Sequence, residues 1–187
     1  MRTMCVKQIK KQGGDVIEVP AEETIERLMN QYGDDVFRMC CVYLKDYHLA
    51  EDAAQDTFIK AMYAWDSFRH QSSEKTWVTR IAINCCKNMM RTNWFRLSRN
   101  ELKDEARGKV HGDEDPLEKI AEQDSVTGAV MKLNVNDRQL ILLYYYQELS
   151  MKEIAEITGK SENTVIQRVN RARKRLRKLL EEAGYDT

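Results

Sequence analysis

The segment from Ser150 to Arg173, SMKEIAEITGKSENTVIQRVNRAR, leaves this chain few alternatives to a short helix, a tight turn and a second helix. Ser150 is suited to cap a helix, and Glu153 three residues on completes the reciprocal capping pattern, so a helix should begin at Met151. Gly159 ends it, because glycine enters the left-handed conformation that closes a helix without steric cost. Ser161 then caps a longer helix in which Val165, Val169, Ala172 and Leu176 recur at intervals of three and four, the spacing of a buried stripe. Gln167, Arg168, Asn170, Arg171 and Arg173 are left on the outside. This is the helix-turn-helix pattern, whose second helix can lie in the DNA major groove.

Charge supports that partner. From Lys160 to Lys178 there are eight basic residues and one acid, Glu162, more imbalance than solubility requires. The net charge is zero only because opposed segments cancel. Asp34 to Asp56 holds six acids against two bases. Arg69 to Arg99 holds seven bases against one acid, interleaved with Trp77, Trp94 and Phe95. Arg99 to Thr127 reverses to nine acids against five bases. A chain sorted this way is suited to hold DNA and a basic protein surface together.

Other function classes lack their machinery. Cys5, Cys40, Cys41, Cys85 and Cys86 form no CxxC pair and have no histidine at zinc spacing, so they read as small core residues and no metal is expected. His48, His70 and His111 are scattered, and Gly13-Gly14 is not a phosphate loop. No catalytic residue and no cofactor is expected. No apolar run approaches the ~20 residues of a membrane span, and the N-terminus lacks a signal segment, so a cytoplasmic protein with no membrane insertion is expected.

Helical periodicity dominates, and sustained alternation of the strand type is absent, which predicts an all-α fold. Residues 1–20 are an extension with no assigned role. A helical bundle is expected over 21–95. Its first helix, with Gly33 a candidate bend, carries Ile25, Leu28, Met29, Tyr32, Val36, Phe37, Cys40, Val42, Tyr43 and Leu44; its second, Leu49 to Trp65, buries Ala53, Ala54, Phe58, Ile59, Met62 and Trp65; its third, Ser73 to Trp94, buries Trp77, Ile81, Ile83 and Met90. Residues 96–124, charged and broken by Gly108, Gly112 and Pro116, read as a flexible acidic linker. A second helical domain follows over 125–187, with helices near Ser125 to Leu133, Asp137 to Gln147, Met151 to Thr158 and Glu162 to Leu180, and a core from Leu140, Ile141, Leu143, Tyr144 and Tyr145.

Three stretches together resemble the bacterial sigma factors of the extracytoplasmic function (ECF) type, within the sigma-70 family: HLAEDAAQDTFIKAMYAWDSF at 48–68, KTWVTRIAINCCKNMMR at 75–91, and LNVNDRQLILLYYYQELSMKEIAEITGKSENTVIQRVNRARKRLR at 133–177. The resemblance implies a two-domain, non-catalytic subunit, with a sigma region 2 bundle and a sigma region 4 helix-turn-helix. Such a subunit docks on core RNA polymerase and reads promoter DNA, and it implies an anti-sigma factor as a third partner. Glu51, Asp52, Gln55 and Asp56 match the family's polymerase-docking face; a plain solvated helix face is the reading that the residues alone favour. Trp77, Arg80, Asn84, Lys87, Asn88 and Arg91 match the reader of the minus-10 element, although Trp77 by its spacing is more at home in a core. For the minus-35 element the match assigns Gln167, Asn170 and Arg171 to bases and Lys160, Asn163, Thr164, Arg168 and Arg173 to phosphates, and it counts Ser161, which caps the reading helix, among the DNA-binding residues. Asp113, Glu114 and Asp115 could thread a basic channel of the polymerase or simply extend a tether.

Two other classes compete. An ordinary two-domain DNA-binding regulator would explain the helix-turn-helix but not the acidic AEDAAQD face. A pure adaptor would use that face and bind no DNA.

Overall fold

The computed structural model describes residues 7–10, 16–19, 21–98 and 124–185, with side chains over 23–92 and 124–185. The acidic cluster Asp113 to Asp115 and the rest of the linker core lie outside the described residues, as does Cys5. Two short strands, β1 (Lys7–Lys10) and β2 (Val16–Val19), pair antiparallel with Lys7 opposite Val19 and Lys10 opposite Val16. The otherwise all-α chain thus carries one hairpin, at four residues a strand too short for its alternation to stand out in the sequence.

Three helices make the first bundle: α1 (Ala21–Leu44), α2 (Tyr47–Ala64) and α3 (Glu74–Ser98). Helix α1 runs through Gly33 as one element, burying Leu28, Val36, Met39, Cys40 and Tyr43 along one stripe. It ends where Lys45 turns left-handed at φ 57°, and Asp46 immediately caps α2 by accepting from the Leu49 amide at 2.9 Å. Helix α2 buries Ala50, Ala53, Thr57, Phe58 and Ala61, and the small side chains let α1 and α3 approach closely. A 3₁₀ turn at Trp65–Ser67 leads to the loop before α3. The Arg27 guanidinium grips both oxygens of Glu74, at 2.7 and 3.0 Å, pinning the start of α3 to α1.

The second domain holds α4 (Ser125–Lys132), α5 (Val135–Ile141) continuing through a π-helical turn at Leu142–Tyr146, α6 (Met151–Thr158) and α7 (Glu162–Glu182). Asp124, Asn134, Ser150 and Ser161 each cap the helix that follows them. Leu140, Ile141, Leu142 and Leu143 are buried, as their unbroken apolar run requires of a segment with neighbours on several sides.

Three expectations about burial change. Ile59 is exposed, because the stripe of α2 passes through Thr57 and Phe58 instead. Tyr145 and Met29 are also exposed, Tyr145 where the π turn rotates it off the core. In α3 the fully buried residues are Thr76, Val78, Thr79, Ala82, Ile83, Cys85 and Cys86, while Trp77, Ile81 and Met90 are only half-buried.

The two domains do not stand apart. One apolar core runs from α1, α2 and α3 into Met131, Leu140, Leu143, Leu149, Ile154 and Val165 of the second domain. A smaller cluster of Val130, Leu133, Ile141 and Ala172 takes Val42 of α1 against its side.

Candidate nucleic-acid and polymerase interfaces

The helix-turn-helix forms from local hydrogen bonds that its sequence dictates. Ser150 Oγ accepts from the Glu153 amide at 3.3 Å, and Glu153 Oε2 accepts from the Ser150 amide at 2.9 Å, completing the capping box. Gly159 sits at φ 64°, so a side chain there would be strained and the turn to Ser161 would suffer. Ser161 Oγ accepts from the Thr164 amide at 3.3 Å, and the two hydroxyls lie 2.8 Å apart. Val165, Val169 and Ala172 then seat α7 on the domain core.

That seating aims the outer side chains. Lys160, Asn163, Gln167, Asn170, Arg171 and Arg173 are exposed, and Thr164 and Arg168 half-buried. Arg171 Nε donates to the Gln167 carbonyl at 3.3 Å, which holds its guanidinium against the helix. Asn170 and Arg173 also rim a cavity of about 920 Å³ walled by Val126, Val130, Leu142, Tyr145, Leu176 and Leu180. Arg173 lies 6.0 Å from the centre of the Tyr145 ring, so the rearmost of the expected DNA contacts leans towards this apolar groove. Ser161 and Thr164 are occupied in capping.

On α3, Asn84, Lys87, Asn88 and Arg91 are exposed, and Arg91 donates to Asn88 Oδ1 at 3.4 Å. Desolvation by neighbouring protein, and then the charge of Lys160, hold the Lys87 ammonium below the ordinary lysine value. Trp77 is stacked on Phe68 with ring centres 4.7 Å apart and meets Trp65 edge-on at 5.7 Å, which makes it part of a packed aromatic cluster. Arg80 is paired with Glu156 of α6 at 3.4 Å.

On α2, Glu51, Asp52 and Gln55 are exposed, and Asp56 is half-exposed. Glu51 lies 3.4 Å from His48, and Asp56 accepts from Lys60 at 2.9 Å. Ile59 and Tyr63, one and two turns beyond Gln55, share this side of the helix and are exposed by 43% and 81%. The acidic face thus has an apolar strip that the sequence reading missed; the signal was present, since the stripe through Ala50, Ala53, Phe58 and Ala61 already fills the inner side of α2.

The four described cysteines pack in the core of the first domain. Cys40, Cys41, Cys85 and Cys86 are buried, with Cys86 Sγ 3.4 Å from Cys40 Sγ, and the hydrogen bond between them together with burial pushes the Cys40 thiol up. Among the described residues no cluster could hold a metal ion, and no helix is long and apolar enough to cross a membrane.

Comparison with known proteins bears on both domains. Residues 28–96 match the family described as Sigma-70 region 2, and residues 123–176 match Sigma-70, region 4. The ECF RNA polymerase sigma factor SigM of Bacillus subtilis (strain 168) is 31% identical over 158 residues, covering 83% of this chain and 94% of the relative. The ECF RNA polymerase sigma factor SigW of the same organism is 30% identical over 184 residues, covering 94% of each. Among solved structures, the sigma factor RpoE in complex with the anti-sigma factor NepR from Bartonella quintana shares the fold at a TM-score of 0.68 and 24% identity, over 85% of this chain and 98% of that one. CnrH, in complex with the cytosolic domain of CnrY, does so at a TM-score of 0.63 and 24% identity, over 86% and 90%.

Proposed function

The chain belongs to the ECF sigma factors of the sigma-70 family, and we propose that it selects promoters for core RNA polymerase by reading two DNA elements with its two domains. It is a regulatory subunit, and in this reading it carries no catalysis of its own and works in the cytoplasm, where promoters are. The observation that carries the proposal is the likeness to SigW over 94% of both chains, which keeps both domains in the same order. An ordinary two-domain regulator or an adaptor would not be expected to share both domains with a sigma factor from end to end.

The finer assignments follow from exposure and charge. The α2 face of Glu51, Asp52, Gln55 and Asp56 would meet a basic surface of the polymerase, with Ile59 and Tyr63 as its desolvated centre; buried aromatic anchors ringed by charge are the usual source of binding energy at such faces. Asn84, Lys87, Asn88 and Arg91 of α3, with Arg80 once it is freed, would read the minus-10 element. Trp77 contributes by holding the Phe68 loop in shape rather than by stacking on a base. Gln167 and Arg171 would read bases of the minus-35 element with Asn170, and Lys160, Asn163, Thr164, Arg168 and Arg173 would hold phosphates. An anti-sigma factor is a further partner of this reading, supported by the complexes in which RpoE and CnrH are found and by the apolar groove beside α7, which fits an amphipathic helix.

Transcription reconstituted from the purified chain, core polymerase and genomic promoter fragments tests the proposal. Transcripts with a defined start are expected. DNA binding without the polymerase and no transcripts would identify a repressor instead; polymerase binding with no choice of start would leave an adaptor.

A further inference from the structure

Of the described large apolar side chains on α7, Val165 and Val169 are fully buried and Leu176, Leu179 and Leu180 half-buried; Ile166 alone is exposed, by 36%. It stands beside the buried stripe rather than in it, one residue past Val165. Asn163, three residues before it, and Asn170, four after, share its side of the helix, and both are exposed amides. Ile166 lies outside the lining of the apolar groove beside the later turns of α7. The result is one apolar spot in an otherwise polar surface.

Folding gives no reason for isoleucine at this place. Its branched side chain loses rotamer freedom against the preceding turn, so it is a poorer helix former than leucine, lysine or glutamine, and more than a third of it stays in water. Glu162, the other residue out of keeping with a basic helix, does have such a reason: a carboxylate in the first turn meets the positive end of the helix dipole.

A DNA major groove offers an aliphatic side chain one suitable group. The base edges there present hydrogen-bond donors and acceptors, and the only apolar feature among them is the 5-methyl of thymine. Contact between that methyl and Ile166 would release water from both. The polar edges of the other bases would lose their water to a side chain that offers no hydrogen bond in return, so the same contact disfavours them. Ile166 lies in the second turn of α7, and it is the N-terminal part of a recognition helix that reaches base edges. Asn170 lies about 6 Å further along the helix axis, a distance of roughly two base steps.

We propose that Ile166 is a specificity-determining residue, reading the 5-methyl group of one thymine within about two base pairs of the base that Asn170 meets. The inference rests on the assignment of α7 to the minus-35 element. Gln167 and Asn170 discriminate by hydrogen bonds, and Ile166 adds a contact that needs no charge.

Holoenzyme assembled from the full chain and core polymerase tests this, first by selecting promoters from duplexes randomised across the minus-35 element. Each thymine of the selected element is then replaced in turn by deoxyuridine, which lacks only the methyl, and affinity is measured by titration. One replacement should weaken the wild type about fourfold, the weight of one methyl taken out of water, and equally at low and high salt, since no counterion is released by that contact. Ile166→Ala should bind the thymine and uracil forms of that promoter alike, and Ile166→Val, which keeps the branch at Cβ, should restore the preference for thymine. A wild type that no single uracil weakens, or a uracil penalty undiminished in Ile166→Ala, would overturn the inference. Holoenzyme that selects no minus-35 sequence at all would overturn the promoter reading beneath it, so the two failures are told apart.

Discussion

At the scale of single residues, Glu153 does two jobs with one carboxylate. Its Oε2 accepts from the amide and hydroxyl of Ser150, and its Oε1 accepts from Thr76 across the domain boundary. The Thr76 hydrogen bond, followed by those from Ser150 and the charge of Lys75, outweighs partial burial and holds the Glu153 carboxyl below its ordinary value. A depressed folded value means that ionised Glu153 adds stability above the unfolded value of 4.5, and that this is lost as pH falls through the lower folded value. The wild type should therefore exceed Glu153→Gln in Tm at neutral pH, and the difference should shrink as pH falls below the unfolded value; a difference in melting curves that stays constant from neutral pH into the acid range would show that the carboxylate's charge is irrelevant. On α7, replacing Arg171 by alanine should cost about 1–3 kcal/mol and relax base preference if it reads guanine. Lys160→Ala should weaken all sequences alike and lower the salt slope of binding by about one unit. Titration of both variants, in complex with the polymerase, against promoter variants over a range of salt separates the two roles.

At the scale of elements, α2 divides its labour by face. Ala50, Ala53, Thr57, Phe58 and Ala61 are buried, and Ile59 and Tyr63 stand out among acids on the other side. Their exposure has no benefit for the folded chain alone. The double substitution Ile59→Lys with Tyr63→Asp should leave unfolding free energy within about 0.5 kcal/mol of wild type while weakening binding to core polymerase by about 2 kcal/mol or more. Urea melts and a polymerase-binding titration check the two halves. Loss of stability would return Ile59 to the core where periodicity first put it. Helix α7 shows a similar division. Gln167 and Arg171 are exposed, whereas Leu176 and Leu180 line the groove beside Arg173, so the helix carries exposed polar side chains near its start and an apolar groove near its end.

For the whole molecule, the continuous apolar core makes one cooperative unit of two domains. Calorimetry should show a single unfolding transition for the wild type, and Arg138→Met should split it into two by removing the hydrogen bonds from Arg138 to the Val42 and Tyr43 carbonyls of α1. Two transitions in the wild type would mean that the domains melt independently despite sharing a core. The zero net charge belongs to this scale as well. Glu156 of α6 meets Arg80 of α3 at 3.4 Å, so one acid–base pair from the sorted segments joins the two domains.

The local sequence determined the helix-turn-helix almost completely. Ser150 with Glu153, Gly159 at the turn, Ser161 and the Val165 to Leu176 stripe act over three or four residues, and nothing distant competes with them. The same locality made α1 to α3 legible as helices. What the sequence could not determine was which side of each helix stays open once the others are packed, since Ile59, Met29 and Tyr145 have the character of core residues yet are exposed, Ile59 losing its place to Thr57 and Phe58 and Tyr145 lying in the π turn. Nor could it bring Arg138 to Val42 and Tyr43, or Arg80 to Glu156, because those partners are separated by 96, 95 and 76 residues and meet only when the domains close. Spacing along a chain encodes contacts within a helix; contacts between domains depend on the relative placement of whole helices, which tertiary packing alone decides.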